Sequence, residues 1–320
     1  MKKIKNIIAI IIILLLMLVT LTGCTNNEEK EKENERESKS LSEIIKKEVE
    51  NSIETESENE TKEQTNLELA EKEENKNPIA TMQVEYENQQ GQSKIGTIKI
   101  ELYKNEAPET VSNFINLANN GFYNGLTFHR ILKDFVIQGG DPAGDGTGAA
   151  KRSDLDKSIV PNSEDDYQYS IKGEFAKNNV DNNLKFEKGV VGLARSDYSA
   201  YGLVEEGYNS GNCQFFIVNS NSKNAQRSLE GLYTAFGKVI EGYEIVEEIS
   251  NVELKAMEEG NYEQSTPIVA PIIKKVEIQT YGETYKAPQI INAEDTERKL
   301  QEIYIQYMNE YYKNLENNEE

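Results

Sequence analysis

The sequence predicts a mainly all-β protein: a closed barrel of eight short strands, with two α-helices as lids. Three observations carry that reading. Eight short segments between Met82 and Thr280 alternate apolar with polar residues or run apolar. Only two stretches among them repeat at helical spacing, and the loops between are wide. A chain of many short strands and few helices removes its unpaired edges by closing the sheet.

Before the barrel, Lys2, Lys3 and Lys5 precede an apolar run from Ile7 to Val19, which ends in Leu21-Thr22-Gly23-Cys24. The run is short for a bilayer span, which needs about 20 apolar residues. Residues 1–23 therefore read as a signal peptide. The Leu-x-Gly-Cys ending resembles a bacterial lipobox, which implies cleavage before Cys24 and lipidation of its thiol. The expected location is the outer face of the bacterial cytoplasmic membrane. Each buried acyl methylene contributes about 0.8 kcal/mol, so two or three chains anchor where one would exchange. Residues 24–77 are dominated by Glu, Lys, Asn and Ser, with neither proline nor glycine from Thr25 to Asn77. They are expected to form a charged, disordered linker, since they cannot bury a core. Leu41, Ile44, Ile45 and Val49 have the spacing of a short amphipathic turn within it.

The folded domain is expected over residues 78–281. Met82–Tyr86 and Gly96–Leu102 alternate as half-buried strands do. Pro108 opens a helix, where a missing N–H costs nothing, and Asn120-Gly121 closes it. Its apolar face is Val111, Phe114, Ile115, Leu117 and Ala118. Strands follow at Thr127–Leu132, Phe135–Gln138, Gly189–Ala194, Gln214–Val218 and Thr234–Val239. A second helix covers Tyr243–Ser250, and Ile272–Thr280 is the closing strand. Residues 282–320 form a tail in which Leu300, Ile303, Tyr304, Tyr307 and Tyr311 mark an amphipathic helix from Glu294 to Leu315. Its apolar stripe is expected to dock on the barrel.

Composition narrows the function. Lys and Arg number 35 against 56 Asp and Glu, a formal net charge of -21. Such a chain lacks the basic footprint that nucleic acid requires, and membrane attachment has to be inserted or covalent. Two cysteines, Cys24 and Cys213, make neither a disulfide framework nor a thiolate zinc site. One histidine, His129, excludes multi-histidine metal centres.

The chemistry concentrates in Phe128-His129-Arg130-Ile131 and Phe135-Val136-Ile137-Gln138-Gly139-Gly140-Asp141. An arginine within an apolar strand is costly unless it faces a cleft or a partner. Phe135 and Gln138 set an aromatic wall and an amide beside it. Gln214-Phe215-Phe216-Ile217 and Thr234-Ala235-Phe236-Gly237-Lys238-Val239 add aromatic surface. No nucleophile–base pair accompanies them. The set suits an apolar group held next to one fixed cationic donor. His129 alternates away from Arg130 and is expected to make a structural hydrogen bond. Asp141–Gly148 lacks the acidic spacing of a calcium loop and reads as turn chemistry. Cys213 reads as a small buried residue.

On these motifs the chain resembles the cyclophilin-type peptidyl-prolyl isomerases across roughly residues 79–281. The resemblance implies an eight-stranded antiparallel barrel with a helix over each end. It makes Arg130 the catalytic residue. Phe135, Val136, Phe216 and Leu229 would line a proline pocket, and Gln138 would hold the substrate carbonyl. Ala194, Arg195 and Gln214 would contact the peptide backbone, with Gly146-Thr147-Gly148 at the pocket's edge and Tyr233 at its rim. There are departures: Val136 where methionine is common, Arg195 for asparagine, Ser228 for tryptophan, Tyr233 for histidine. Lys151–Lys188 and Asp197–Gly211 are longer than in compact members, which leaves the groove rim open. Cyclosporin, the family's inhibitor, hydrogen-bonds to the tryptophan position.

The resemblance implies an isomerase acting on unfolded or partly folded proline-containing proteins, with no cofactor. Together with the lipobox-like ending and the acidic charge it gives an expected monomer tethered through Cys24, serving secreted proteins and binding no metal and no nucleic acid. The alternative is a catalytically weak proline-peptide binding module or holdase. It rests on Val136, Ser228 and Tyr233.

Overall fold

The computed structural model describes residues 76–157, 166–257 and 264–318. The signal segment, Cys24 and the linker up to residue 75 lie outside the described residues. Among the described residues no helix is long and apolar enough to cross a membrane.

The chain opens with β1 (Ile79–Glu87), β2 (Ser93–Leu102), α1 (Pro108–Asn119), β3 (Arg130–Leu132) and β4 (Val136–Gly139). It continues through α2 (Arg152–Leu155), β5 (Tyr169–Ile171), β6 (Val190–Leu193), α3 (Val204–Tyr208) and β7 (Phe215–Val218). Next come α4 (Lys223–Leu229), β8 (Ala235–Glu241), α5 (Tyr243–Ser250), β9 (Ile272–Gln279), β10 (Ile290–Asn292) and α6 (Glu294–Asn318). The eight expected strands form one sheet in the order β3-β4-β7-β6-β8-β2-β1-β9, every pair antiparallel.

The expectation of a closed barrel is corrected. The sheet is curled, and its ladder ends at β3 and β9, which do not pair along their length. Across this seam Thr127 makes an isolated bridge to Ile272, and the Phe128 N–H donates to the Pro271 carbonyl at 2.9 Å. The segment read as one strand from Thr127 to Leu132 forms ladder only from Arg130 onward, so the seam has too little paired backbone to continue the sheet.

Register divides the side chains into two apolar clusters. Ile131, Ile137, Ile217 and Val191 lie in one lateral row and face the main core with Phe215, Leu193 and Phe236. The neighbouring row is Arg130, Gln138, Phe216, Gly192 and Ala235. It points to the opposite face, where Val136, Val218, Val190 and Leu229 gather around Phe216. The period of two sends alternate residues to opposite faces. A strand such as Phe215–Val218, buried throughout, therefore serves the core and a second surface at once.

Both expected helices bury one face in the main core, α1 through Val111, Phe114, Ile115 and Leu117, and α5 through Val246 and Ile249. Glu174 caps α1 from a distant loop. Its carboxylate accepts from the N–H groups of Glu109 and Thr110 and from the Thr110 hydroxyl, at 3.0, 2.9 and 2.6 Å. These bonds satisfy donors that a helix start leaves open. Burial still holds the Glu174 carboxyl above the usual carboxylate range.

The tail departs from its expected packing. α6 forms as anticipated, but most of its stripe is uncovered: Leu300 and Ile303 are half-buried, whereas Tyr304 and Tyr307 are both 63% exposed. Backbone pairing attaches the tail instead, since β10 adds to β5 in a separate two-stranded sheet. Neither three-residue strand carries an alternation long enough to read in sequence.

Candidate functional site

The second apolar cluster forms a pocket. Val136 from β4, Phe216 from β7 and Leu229 from the end of α4 are buried in it, and Phe135 and Tyr233 pack against them half-exposed. Phe216 is fixed from two sides, stacked on Phe186 at 5.8 Å between centroids and edge-on to Tyr233 at 5.7 Å. Its third side is Gly192, where a Cβ would stand 2.3 Å from the Phe216 ring.

A polar line starts at the lip. Arg130 Nη1 donates to Gln138 Oε1 at 3.1 Å, and Gln138 Nε2 donates to Gln214 Oε1 at 3.0 Å. Gln214 Nε2 in turn donates to the carbonyls of Gly146 and Gly148, at 3.0 and 2.8 Å. Arg130 and Gln138 are cross-strand partners on β3 and β4, so their contact follows from register. The line orients both amides and holds the guanidinium beside the apolar pocket.

The loop that receives the line is turn chemistry, as its sequence suggests. Asp141 Oδ1 accepts from the Ala143 N–H at 2.9 Å, and Oδ2 accepts from the N–H groups of Asp145 and Gly146. Thr147, exposed at the rim, donates through both its N–H and its hydroxyl to Asp145. Among the described residues no cluster of His, Cys, Asp and Glu could hold a metal ion.

Ala194 stands at the other rim, its N–H donating to the Gln214 carbonyl at 2.9 Å. Arg195 is committed to the protein itself. Its Nε donates to the Leu232 carbonyl and its Nη1 to the Ser196 carbonyl, and it lies over the rings of Tyr233 and Tyr208 at 4.7 and 5.2 Å. Every expected site residue from Arg130 to Tyr233 thus falls in the pocket, on the polar line or at its rim; Cys24 lies outside the described residues.

His129 is buried just ahead of β3. Its ring nitrogens make no hydrogen bond of good geometry among the described residues, and the expected structural hydrogen bond is reduced to a weaker contact with the Thr127 backbone. Burial holds its pKa below the usual 6.5, with Asp141 opposing that shift. Cys213 is buried and its thiol is pushed up to about 12, chiefly by burial, which leaves it inert as a nucleophile at neutral pH.

Sequence reading missed Phe186 and Gly192. Phe186 lies in a loop with no periodicity to mark it. Gly192 did carry a signal, since glycine inside a strand often marks a close approach of another group.

A curled antiparallel sheet with an apolar pocket on its outer face, and an arginine and two glutamines at the lip, is the arrangement of the cyclophilin class. The sequence agrees: residues 81–278 match the family model for the cyclophilin type peptidyl-prolyl cis-trans isomerases. Peptidyl-prolyl cis-trans isomerase B of Bacillus subtilis (strain 168) is 38% identical over 154 residues, 48% of this chain and 83% of that protein. Peptidyl-prolyl cis-trans isomerase-like 1 of Mus musculus is 33% identical over 168 residues, 52% of this chain and 81% of that protein. A solved Cryptosporidium parvum cyclophilin type isomerase, crystallised with the dipeptide Ala-Pro, aligns with a TM-score of 0.43 and 26% identity over 62% of this chain and 98% of that one. The chain belongs to the cyclophilin-type peptidyl-prolyl cis-trans isomerase family.

Proposed function

We propose that this protein accelerates folding of secreted or cell-surface proteins by isomerising their X–Pro bonds, and that it works as a monomer tethered to the membrane through lipid on Cys24. The observation that carries the reaction is the placement of Arg130, held by Gln138, at the lip of the pocket formed by Val136, Phe216 and Leu229.

The barrier to rotation about a peptide bond is about 18–20 kcal/mol, because amide resonance must be broken. Twisting the X–Pro bond pyramidalises the prolyl nitrogen and gives it a lone pair. A donor aimed there favours the twisted state and gains nothing comparable in the planar one. Arg130 supplies such a donor from its planar, cationic guanidinium. The pocket holds the prolyl ring, Gln138 steadies the carbonyl, and the acyl side rotates. No covalent intermediate is needed.

The membrane reading is supported by the lysine-rich start, the short apolar run and Leu21-Thr22-Gly23-Cys24. A tether would keep the enzyme where chains emerge unfolded and where X–Pro isomerisation, taking tens of seconds, limits folding.

A protease-coupled assay with an Ala-Pro peptide tests the activity. The wild-type protein should shorten the cis-to-trans phase in proportion to its concentration. Peptide binding without acceleration would replace the isomerase with the binding-module reading. Detergent-phase partitioning tests the tether: it should be lost in Cys24→Ser, and equal partitioning of both proteins would reject lipidation.

A further inference from the structure

Next to the proline pocket, past Gln138 and Gln214, the groove widens into a cavity of about 230 Å³. Its floor includes Tyr169 and Asn212, both locked in place. The Tyr169 hydroxyl donates to Asn113 Oδ1 at 2.7 Å, and Asn212 Oδ1 accepts from the Ala150 N–H at 2.7 Å. One wall does not come from the family's part of the chain. Ala293, Thr296 and Glu297 line the cavity, although the family match ends at residue 278.

That wall is attached at several points. β10 pairs with β5 from Ile290 to Asn292, and the Ala293 N–H donates to the Gln168 carbonyl at 3.1 Å. The Gln289 N–H donates to Glu109 on α1 at 2.7 Å, and Lys299 pairs with Glu206 on α3 at 2.6 Å. The first turns of α6 are therefore held to the body on two sides, while the exposed stripe lies farther along the helix.

Charge gives the wall a preference. Arg195 and Glu297 are the charged residues lining the cavity. Arg195 already donates to two carbonyls and lies over three rings, those of Phe175, Tyr208 and Tyr233. The cations next to Glu297 are also engaged, Arg298 with Asp295 and Glu302 and Lys299 with Glu206. Among the described residues Glu297 has no ion pair, and its carboxylate is exposed at the cavity's edge. The remaining lining is largely polar, with Thr147, Gln168, Ser170 and Ser210.

We propose that the tail segment Ile290–Glu297 is a specificity wall of the substrate groove, which takes a polar side chain flanking the proline and favours a cationic one through Glu297. The proposal rests on this groove being the isomerase's substrate groove.

The test uses the full chain and proline peptides with Lys, Ala or Glu at each of the two positions on either side of Ala-Pro. Both kcat/KM and peptide Kd are measured. At one position the wild-type protein should prefer Lys over Glu by roughly fivefold, as an exposed ion pair allows, and added salt should weaken the preference. Glu297→Lys should reverse it. Ala293→Trp, which fills the cavity, should lower kcat/KM for Lys at that position more than for Ala. Lys-to-Glu ratios that are the same in wild type and Glu297→Lys at all four positions would overturn the proposal. Lack of turnover with every peptide would instead be a failure of the isomerase reading, and the Kd ratios would still report on the wall.

Discussion

Replacing Gly192 with alanine tests how the pocket is built. The added Cβ would stand 2.3 and 2.7 Å from two atoms of the Phe216 ring and 2.9 Å from Phe186. Carbon atoms in good contact sit about 3.5–4.0 Å apart, so the Phe216 ring has to withdraw by about 1 Å or more. Phe186 is stacked on one side and Tyr233 stands edge-on at another, which leaves the open apolar pocket as the direction of retreat. Overpacking of this kind costs about 1–3 kcal/mol. If that cost falls on the space for the prolyl ring, kcat/KM drops by roughly one to two decades. The loss should appear mainly in KM, since ring binding is shared by ground and transition states. The assay is protease-coupled isomerisation of an Ala-Pro peptide, run where circular dichroism shows the variant folded. A kcat/KM within twofold of wild type would refute the claim that Gly192 sets the position of Phe216.

Three further outcomes follow from the structure. Glu174→Ala removes the acceptor for three donors at the start of α1 and should lower unfolding free energy by about 2–3 kcal/mol; urea denaturation showing a loss below about 0.5 kcal/mol would contradict the capping role. His129 has a folded pKa lowered from 6.5 by burial, so the unfolded chain takes up its proton first as the pH falls. Its contribution to stability should be complete above about pH 6.5 and decline below it, while kcat/KM of the folded protein stays flat on both sides of pH 6.5; a kinetic inflection below about pH 6.5, where the folded His129 titrates, would implicate His129 in the reaction. Ser228 is exposed beside the pocket residue Leu229, its hydroxyl donating to the Ala225 carbonyl at 2.8 Å, so Ser228→Trp should tighten cyclosporin inhibition by roughly one to two decades and change peptide turnover much less. Tight inhibition of the unsubstituted protein would show that the tryptophan position is dispensable here.

Much of this site was legible because one periodicity serves two surfaces. Alternation places Ile131, Ile137 and Ile217 in the core, and so necessarily turns Arg130, Gln138 and Phe216 to the other face. An arginine and a glutamine within apolar strands mark that face as a site. What depended on contacts remote in sequence was hidden. Glu174 reaches α1 from a distant loop, Phe186 comes from a segment without periodicity, and β10 is too short to announce its pairing with β5. Edge closure is not encoded in alternation, since the pattern in Thr127–Leu132 says which face a residue takes and not whether its backbone finds a partner. Spacing marks the tail helix, but the stripe that defines it is not what attaches it.

Arg130→Ala tests most directly whether Arg130 acts on the twisted amide and not on binding. Its kcat/KM for an Ala-Pro peptide should fall by roughly two to three decades, equivalent to about 3–4 kcal/mol of transition-state stabilisation. Peptide Kd, measured in parallel, should change by no more than a few-fold, because Gln138 and the pocket of Val136, Phe216 and Leu229 remain. Near wild-type turnover in that variant would contradict the mechanism, and so would a loss of turnover matched by an equal loss of binding.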